Sequence, residues 1–295
     1  MTIKDLLRQG TEFLSKPSKS SYISSPGLDA ALLLAEVLHV RREELYLQNE
    51  KNTSEAEKKK YFSFLKKRQK GVCVAYILGR KEFRGLDFIV NPHVLVPRPE
   101  SEILVEIALD YINSINKEKN MEKFSALDLC TGSGAIAISL KNECPSLFVH
   151  ASDISQKALY TAEKNVAKLL KSCTKEKKAV NFIKSDLFKN IQKLDTRFQL
   201  IVSNPPYITT EEIKSLAPEV RKEPKLALDG GRDGLILIEK IIKKAHDFLV
   251  KGGRLFLEAA PSQMQSIKKM LLQNTYTNIM IHKDLTGSER FISAE

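Results

Sequence analysis

Between residues 124 and 295, short apolar runs alternate with segments of helical periodicity. Runs such as FSALDLC, LFVHASD and FQLIVSN are apolar at most positions, and amphipathic segments such as SQKALYTAEKNVAKLL separate them. Strands that are apolar on both faces must be covered on both faces, as in a parallel sheet flanked by helices. The pattern predicts an α/β fold with a doubly wound, mostly parallel sheet of seven strands over residues 97–295.

The first 73 residues carry a different pattern and predict a small helical bundle of four helices. Ser25 and Pro26 are typical of a helix start, because serine caps helices and proline is tolerated in the first turn. Asn52 and Glu55 stand at capping-box spacing ahead of another helical segment. Since this bundle shows no catalytic residue pattern, we expect it to serve substrate recognition.

Residues 74–96 change to a composition rich in strand-forming residues, with a glycine at a turn position. This change predicts a β-hairpin linker, with strands within Glu82–Val90 and a turn near Arg84–Leu86. The proline-rich VPRPESE that follows is expected to open the first helix of the sheet domain.

Composition narrows the class of protein but leaves the partner open. The chain is 42% hydrophobic and 28% charged, and it lacks an apolar run of the roughly 18–20 residues that span a bilayer. Asp5 and Glu12 lie in an N-terminal segment that resembles neither a signal peptide nor a transit peptide, so a cytoplasmic location without a membrane partner is expected. The net charge of +11 fits either a polyanionic partner, such as RNA or DNA, or lysine-rich solvated helix faces.

The cysteines are scattered and predict neither a metal site nor a disulfide framework. No CxxC pair or neighbouring histidine cluster accompanies them. The four are Cys73, Cys130, Cys144 and Cys173. The histidines, His93 among them, are likewise scattered and are expected to be structural or solvated.

The first strand of the predicted sheet ends in LDLCTGSGA, where glycines permit a tight turn and close approach of a ligand to the backbone. Ligands of doubly wound sheets bind at the carboxyl ends of the strands. The spacing is not GxGxxG and no Lys-Ser/Thr follows, which disfavours dinucleotide and P-loop sites. An ordinary tight turn remains the alternative at this point.

The next two strands each end in a carboxylate. Asp153 could accept hydrogen bonds from a ribose diol, although an N-cap of the following helix is the alternative. Asp186 could accept from an adenine amino group, with Leu187 or Phe188 covering the ring. A glycine turn and two acids at successive strand ends describe an adenosine site without phosphates, which suggests S-adenosylmethionine.

The fourth strand ends in NPPY, residues 204–207, whose two prolines stop both strand and helix. A rigid turn with its tyrosine in the core is the alternative interpretation. The tetrapeptide resembles the motif of amino-methyltransferases. Together with VPRPESE, DLCTGSGAIA, EVRKEPKLALDGGRDGL and DLTGSERFI, it makes the chain similar to the release-factor glutamine methyltransferase family, PrmC/HemK.

This resemblance implies a Rossmann-like methyltransferase domain that transfers methyl from S-adenosylmethionine to a glutamine side-chain nitrogen. The glutamine is that of the Gly-Gly-Gln motif in class I peptide-chain release factors, so the transfer modulates translation termination. The cofactor residues implied are Cys130, Thr131, Gly132, Ser133, Gly134, Asp153, Asp186, Leu187, Phe188 and Asn204, with Arg98 and Glu100 helping to close over the cofactor. Asn204, Pro205, Pro206 and Tyr207 would hold the glutamine, and Asn204, Pro205 and Tyr207 would be catalytic.

Two further positions bear on the family resemblance: one departs from the usual pattern and one matches it. Cys130 occupies a place that is often glycine, and Glu258 matches the family's acid after the fifth strand. Chemically, the Asn204 side-chain oxygen and the Pro205 carbonyl would accept the two protons of the substrate NH₂, while Tyr207 packs against the planar amide.

Two other classes of function share parts of this pattern. A nucleic-acid adenine methyltransferase would use the same NPPY on an exocyclic NH₂, but it is expected to carry a groove-reading domain or a basic, aromatic-rich insertion. A non-catalytic binding protein would be expected to have a degraded glycine turn or NPPY. We expect a monomer with class I release factors as partners and no stable nucleic-acid partner.

Overall fold

The computed structural model describes residues 1–16, 23–119, 124–170 and 179–295; side chains of 116–119 are not considered, and Cys173 lies outside these ranges. The described residues form two compact units. The first comprises residues 1–80 and 215–223, and the second comprises 81–214 and 224–295. No described helix is long and apolar enough to cross a membrane.

The first unit is helical, and two of its helices begin at side-chain caps, whereas the Ser25 side chain makes no cap hydrogen bond ahead of Pro26. The helices are α1 (Ile3–Ser15), α2 (Pro26–Leu38), α3 (Arg42–Leu47), α4 (Glu55–Gln69) and α5 (Val74–Leu78). The predicted capping box at Asn52 and Glu55 is displaced by two residues. Ser54 caps α4, with its hydroxyl accepting from the Glu57 amide at 3.2 Å while the Glu57 carboxylate accepts from the Ser54 amide at 2.7 Å. Serine's hydroxyl therefore takes the N-cap role in place of the asparagine.

A buried arginine joins three segments of this unit. Arg68 on α4 is only 4% exposed. Its guanidinium lies 2.6 Å from Asp29 of α2 and 2.5 Å from Glu219 in the 215–223 segment. Because a buried charge is costly without partners, the two carboxylates together fix the arginine and tie the later segment to the bundle.

The linker is shorter than predicted. Val74–Leu78 form α5 instead of continuing a β-hairpin, because Gly79 adopts the left-handed conformation (φ 73°) and ends this short helix. The hairpin then consists of β1 (Arg80–Phe83) and β2 (Leu86–Ile89). Its turn lies at residues 84–85, as predicted, and both of these residues have positive φ.

The second unit contains the predicted α/β sheet, and the doubly wound, mostly parallel fold of seven strands is confirmed. Its strands are β3 (Ser125–Leu129), β4 (Phe148–Asp153), β5 (Val180–Lys184), β6 (Phe198–Ser203), β9 (Leu249–Glu258), β10 (Met280–Lys283) and β11 (Glu289–Ala294), in the order β10-β11-β9-β6-β3-β4-β5. A separate small parallel pair consists of β7 (Ile208–Thr209) and β8 (Asp229–Gly231). The helices are α6 (Ser101–Lys119), α7 (Ala135–Glu143), α8 (Gln156–Leu169), α9 (Ile236–Ala245) and α10 (Met264–Gln273).

Alternate residues of the central strands enter two different apolar layers. Ala126 and Leu200 belong to a cluster that includes residues of α6 and α7. Leu127 and Ile201 belong to a second cluster, with residues of α9 and α10. Both faces of β3 and β6 are therefore buried, which is why these strands read as continuous apolar runs in the sequence.

The topology places the candidate residues at one edge of the sheet. From β3 the chain proceeds outward through β4 and β5, and then β6 pairs on the opposite side of β3. The order of strands thus reverses between β3 and β6, which is the position where doubly wound sheets form their ligand crevice.

We expect Gly10→Ala to destabilise the helical unit. Alanine normally favours a helix over glycine by up to about 1 kcal/mol. Here a Cβ at Gly10 would overlap the hydroxyl of the fully buried Tyr61 and lie 2.8 Å from its Cζ. Overpacking of this kind costs about 1–3 kcal/mol. Guanidinium unfolding followed by circular dichroism would show a lower midpoint for the variant.

Gly27→Ala is the matched control, since a Cβ there meets only Thr11 atoms at 3.8 Å. We expect this variant to unfold at or above the wild-type midpoint. Adding Tyr61→Phe to Gly10→Ala removes the overlapping hydroxyl and should recover part of the loss. A Gly10→Ala protein as stable as the Gly27→Ala protein would contradict the packing described here.

Candidate cofactor and substrate cleft

A cleft of about 830 Å³, a volume that includes space open to solvent, lies at the carboxyl edge of the sheet. Its surface is mostly apolar, with carboxylates at two strand ends. The lining residues are His93, Val94, Leu95, Cys130, Gly132, Ser152, Asp153, Ile154, Ser155, Ala158, Ser185, Asp186, Leu187, Asn204, Pro206, Pro224, Leu226, Ala227 and Leu237. A predominantly apolar cavity with a few convergent polar groups is typical of a cofactor site.

The glycine-containing turn after β3 runs through three left-handed residues. Cys130, Gly132 and Gly134 have φ of 61°, 57° and 81°. This conformation explains why glycine suits position 130, where cysteine bears the strain of a Cβ. A Cβ on Gly134 would lie 2.9 Å from Ile138, whereas nothing lies within 4 Å of one on Gly132, which lines the cleft. Gly134 is therefore needed for helix packing, and Gly132 leaves room for a ligand.

Asp128 ties this turn to the helix that follows it. Its Oδ2 accepts from the Thr131 hydroxyl at 2.6 Å and from the Ala137 amide at 3.2 Å. Its Oδ1 has no hydrogen-bond partner among the described residues. Burial raises the pKa of Asp128 to about 7. Thr131 and Ser133 are themselves buried and do not line the cleft, so they shape the turn from behind.

Asp153 lies on the cleft wall and organises both neighbouring segments. Its Oδ2 accepts from the Gly132 amide at 2.9 Å, and its Oδ1 accepts from the Ser155 amide at 2.8 Å. The N-cap of α8 is Ser155, whose hydroxyl accepts from the Ala158 amide at 3.2 Å. Asp153 is therefore not the N-cap of α8, which was the alternative role for it. Burial raises the pKa of its carboxyl.

The three candidate residues after β5 do not all face the cleft. Asp186 and Leu187 line the cleft, and Leu187 has a positive φ of 47°. The Leu187 carbonyl accepts from the Ser185 hydroxyl at 2.6 Å. Phe188, by contrast, is buried in the core and stacks on Phe248, with ring centroids 4.6 Å apart. Of the two candidates to cover an adenine ring, only Leu187 faces the cleft.

NPPY follows β6 directly, and some of its residues line the cleft while others pack in the core. Asn204 and Pro206 line the cleft, whereas Pro205 is buried. The Tyr207 ring packs on the apolar layer of α9 and α10, and burial raises its pKa to about 12. The Gln263 side chain donates to the Tyr207 carbonyl at 2.9 Å. The tetrapeptide is therefore held by main-chain and core contacts, with its asparagine presented to the cleft.

Ser101 and Glu258 lie beside Asn204, although neither was predicted as a site residue. The Asn204 side-chain nitrogen donates to the Ser101 hydroxyl at 3.0 Å. Ser101 donates to Glu258 Oε2 at 2.6 Å, and the Tyr207 hydroxyl approaches Glu258 Oε1 at 3.5 Å. VPRPESE contains Ser101, and Glu258 matched the acid that the family has after the fifth strand. Neither signal reveals that the serine hydroxyl would reach a residue 103 positions away.

Arg98 and Glu100, predicted to help close over the cofactor, do not line the cleft. Burial is the largest cause of the raised pKa of both Tyr207 and Glu258; the charge of Glu100 adds to it at both groups, and the charge of Arg98 opposes it at Tyr207. The structure thus associates Arg98 and Glu100 with the buried side of NPPY.

Several lining residues were missed by the reasoning from sequence. His93, expected to be structural or solvated, is on the cleft surface with two apolar neighbours. The wall contributed by Pro224, Leu226, Ala227 and Leu237 falls within the quoted EPKLALDGGRDGL block, but the sequence pattern assigned no individual residue there. Across residues 1–16, 23–119, 124–170 and 179–295, no group of three His, Cys, Asp or Glu side chains could hold a metal ion.

Solved structures resemble the fold of this chain. The catalytic domain of hMettl16 in complex with a MAT2A 3'UTR hairpin has a TM-score of 0.55 and 16% identity, covering 77% of this chain and 79% of that one. A METTL16 methyltransferase domain lacking its N-terminus has a TM-score of 0.53 and 15% identity, covering 72% and 88%. At these identities the likeness establishes the Rossmann-like methyltransferase fold alone.

Two family models match the sequence in succession. The PrmC N-terminal domain matches residues 5–79, and the methyltransferase small domain matches residues 111–284. The release factor glutamine methyltransferase of Leptospira interrogans is 39% identical over 99% of this chain and 97% of its own length. That of Clostridium botulinum is 37% identical over 100% and 99%. The chain therefore belongs to the release factor glutamine methyltransferase family and is a methyltransferase enzyme.

Proposed function

We propose that the chain transfers a methyl group from S-adenosylmethionine to the side-chain nitrogen of the Gly-Gly-Gln glutamine in class I peptide-chain release factors. The observation that carries the proposal is an Asn204 amide held at the cleft, next to the glycine turn and the carboxylates of Asp153 and Asp186. The names of the full-length relatives support a glutamine of a release factor as the methyl acceptor. With this function we propose a monomeric, cytoplasmic enzyme that has no stable nucleic-acid partner.

The residues of the cleft suit S-adenosylmethionine chemically. The Asp153 carboxylate accepts one backbone bond on each oxygen and keeps further lone pairs for a ribose diol. Asp186 can accept from the adenine amino group beside the apolar side chain of Leu187. The open space over Gly132 allows a ligand to approach the backbone. When bound, S-adenosylmethionine supplies an electrophilic methyl group on a sulfonium.

The Asn204 amide is oriented to receive a primary amide. Its nitrogen is engaged with Ser101, and no described residue donates to its oxygen. That oxygen and the Pro205 carbonyl would accept the two N–H groups of the glutamine NH₂. An amide nitrogen is a poor nucleophile because its lone pair is delocalised into the carbonyl. Two acceptors placed on its hydrogens favour a pyramidal nitrogen with a more available lone pair.

Catalysis then rests on positioning and electrostatic preorganisation. The prolines fix the main chain, and the Gln263 bond to the Tyr207 carbonyl holds the end of the tetrapeptide. The proton lost from the glutamine nitrogen passes to solvent after the transfer, so the cleft needs no strong base.

The proposal is tested by incubating the enzyme with labelled S-adenosylmethionine in three separate reactions. One contains a release factor, one ribosomal RNA and one DNA. We expect label on the Gly-Gly-Gln glutamine, located by peptide mass spectrometry. A release factor with Gly-Gly-Ala in place of Gly-Gly-Gln is the control and should remain unlabelled. Label on nucleic acid alone would support an adenine methyltransferase and overturn this function.

Asn204→Ala should reduce methyl transfer by at least about 100-fold, because the preorganised acceptor for the glutamine is removed. S-adenosylmethionine affinity, measured by calorimetry, should stay within a few-fold of wild type. Asn181→Ala is the control, since Asn181 lies on β5 of the same sheet and contacts His150 away from the cleft. An Asn204→Ala enzyme that turns over normally would remove the role given to this residue.

Gly230→Ala should impair the same step without touching Asn204. A Cβ at Gly230 would lie 2.7 Å from the Pro206 carbonyl and 2.8 Å from the Tyr207 Cα, and both are main-chain atoms that cannot swing aside. Displacement of the NPPY main chain by a few tenths of an ångström should lower kcat at least about tenfold.

Gly27→Ala, which meets no close contact, serves as control for the loss of a glycine. The measurement is steady-state methylation of the release factor, with thermal unfolding to confirm that both proteins are folded. A folded Gly230→Ala enzyme with the wild-type kcat would show that the position of the NPPY main chain does not limit the reaction.

A further inference from the structure

A buried chain of hydrogen bonds stands behind the Asn204 amide. Ser101 and Glu258 are 4% and 1% exposed. The Asn204 nitrogen lies 3.0 Å from Ser101 Oγ, which in turn lies 2.6 Å from Glu258 Oε2. Tyr207 adds a second hydroxyl, 3.5 Å from the other oxygen of Glu258. Three separate segments, the start of α6, the end of β6 and the end of β9, meet in this chain.

The direction of these bonds is determined by the ionisation of one group. A carboxylate only accepts hydrogen bonds, so the Ser101 hydroxyl must donate its one hydrogen bond to an ionised Glu258. The serine oxygen can then only accept, and of the two ends of the Asn204 amide only the NH₂ can donate to it. The amide oxygen is consequently left for the substrate.

We propose that Ser101 and Glu258 are positioning residues which hold the Asn204 amide with its oxygen toward the substrate, and that protonation of Glu258 reverses this orientation. The proposal rests on the function proposed above and adds the regulation of that site by pH. Neither residue touches the glutamine in this scheme, since both act through Asn204.

Protonation of Glu258 reverses the direction of the hydrogen bonds that link Glu258, Ser101 and Asn204. The O–H of a neutral Glu258 carboxyl donates a hydrogen bond to Ser101 Oγ, which frees the serine hydroxyl to donate to another acceptor. Ser101 then donates to Asn204, whose amide rotates to present its oxygen to the serine and its NH₂ to the cleft. Two NH₂ groups would now face each other, so binding and activation of the glutamine are lost.

The surroundings of Glu258 place this change near neutral pH. Burial raises its pKa to about 7, which exceeds the opposing effects of the Ser101 bond and of the Arg290 charge. Glu100 and Tyr207 are the remaining titratable groups that act on it. Burial raises the pKa of Tyr207 to about 12, and Asp284, the partner of Arg290, has its pKa lowered to about 2 by the hydroxyl of Thr286. Glu258 therefore protonates as pH falls through about 7.

The first test is the pH dependence of kcat on a release factor. Wild-type kcat should fall about tenfold per pH unit below the pKa of Glu258, because only the ionised form holds the active orientation. Glu258→Gln should have a lower kcat at high pH but a nearly flat profile, since the oxygen of the introduced amide accepts from Ser101 at every pH. Glu143→Gln, at a surface ion pair with Arg84, is the matched control and should keep the wild-type profile.

The second test removes and restores the hydroxyl. Ser101→Ala should lower kcat by roughly 10- to 100-fold, with S-adenosylmethionine affinity within about twofold of wild type. Ser101→Thr retains the hydroxyl and should recover most of the rate. A kcat for Ser101→Ala equal to that of wild type, or a Glu258→Gln profile identical to the wild-type profile, would overturn the proposal.

A third measurement separates this inference from the proposed substrate. The Asn204 side-chain NH₂ signal, identified in nitrogen-15 spectra by its loss in Asn204→Ala, should shift with pH in wild type and stay constant in Glu258→Gln. This shift is expected whether or not a release factor is methylated. Failure of the labelling experiment with the shift intact would reject only the proposed substrate. Label on Gly-Gly-Gln without the shift would reject the positioning of Asn204 by Ser101 and Glu258.

Discussion

The parallel pairing of β3 with β6 is the constraint on which the site depends. Its register sets Leu129 opposite Ser203, and the Ser203 hydroxyl donates to the Leu129 carbonyl at 2.7 Å. The next residues, Cys130 and Asn204, therefore leave the sheet side by side. Cys130 begins the glycine-containing turn of the cleft, and Asn204 begins NPPY, which we propose binds the substrate glutamine. A slip of one residue in this pair would reverse the faces of the strands and separate the two functions.

Buried carboxylates then rigidify what the sheet brings together. Asp128, Asp153 and Glu258 each lie at or near a strand end, and burial raises the pKa of each. Desolvation of a carboxylate is costly, and hydrogen bonds from hydroxyls and main-chain amides offset part of that cost. In return these bonds hold the glycine turn, the start of α8 and the Asn204 amide. The site also contains backbone strain, because Cys130 and Leu187 adopt the left-handed conformation although neither is glycine.

The chemistry of NPPY alone does not distinguish a glutamine amide from an exocyclic amine of a base, since both present a planar NH₂. The distinction comes from outside the tetrapeptide. The helical unit matches the PrmC N-terminal domain, and the relatives align over nearly their whole length. The charge of +11 remains compatible with solvated helix faces, as the exposed ion pairs along α4 and α9 illustrate.

The sequence by itself determined the class of fold, the order of strands along the chain and the strand ends that carry candidates. These features depend on local periodicity and on turn-forming residues, which are readable within a few positions. It also predicted Asp153, Asp186, Leu187 and Asn204 as site residues, because each lies at or just after the end of a recognisable strand, and all four line the cleft.

Only the tertiary structure decided which face each candidate presents. Phe188 turns into the core beside Leu187 in the cleft, and Ser155 takes the cap that Asp153 could have formed. It also brought Ser101 and Glu258, 157 residues apart, within 2.6 Å. Such contacts depend on the register and packing of distant strands and helices. The local sequence around a serine at the start of a helix and a glutamate at the end of a strand does not show that the folded chain buries them together.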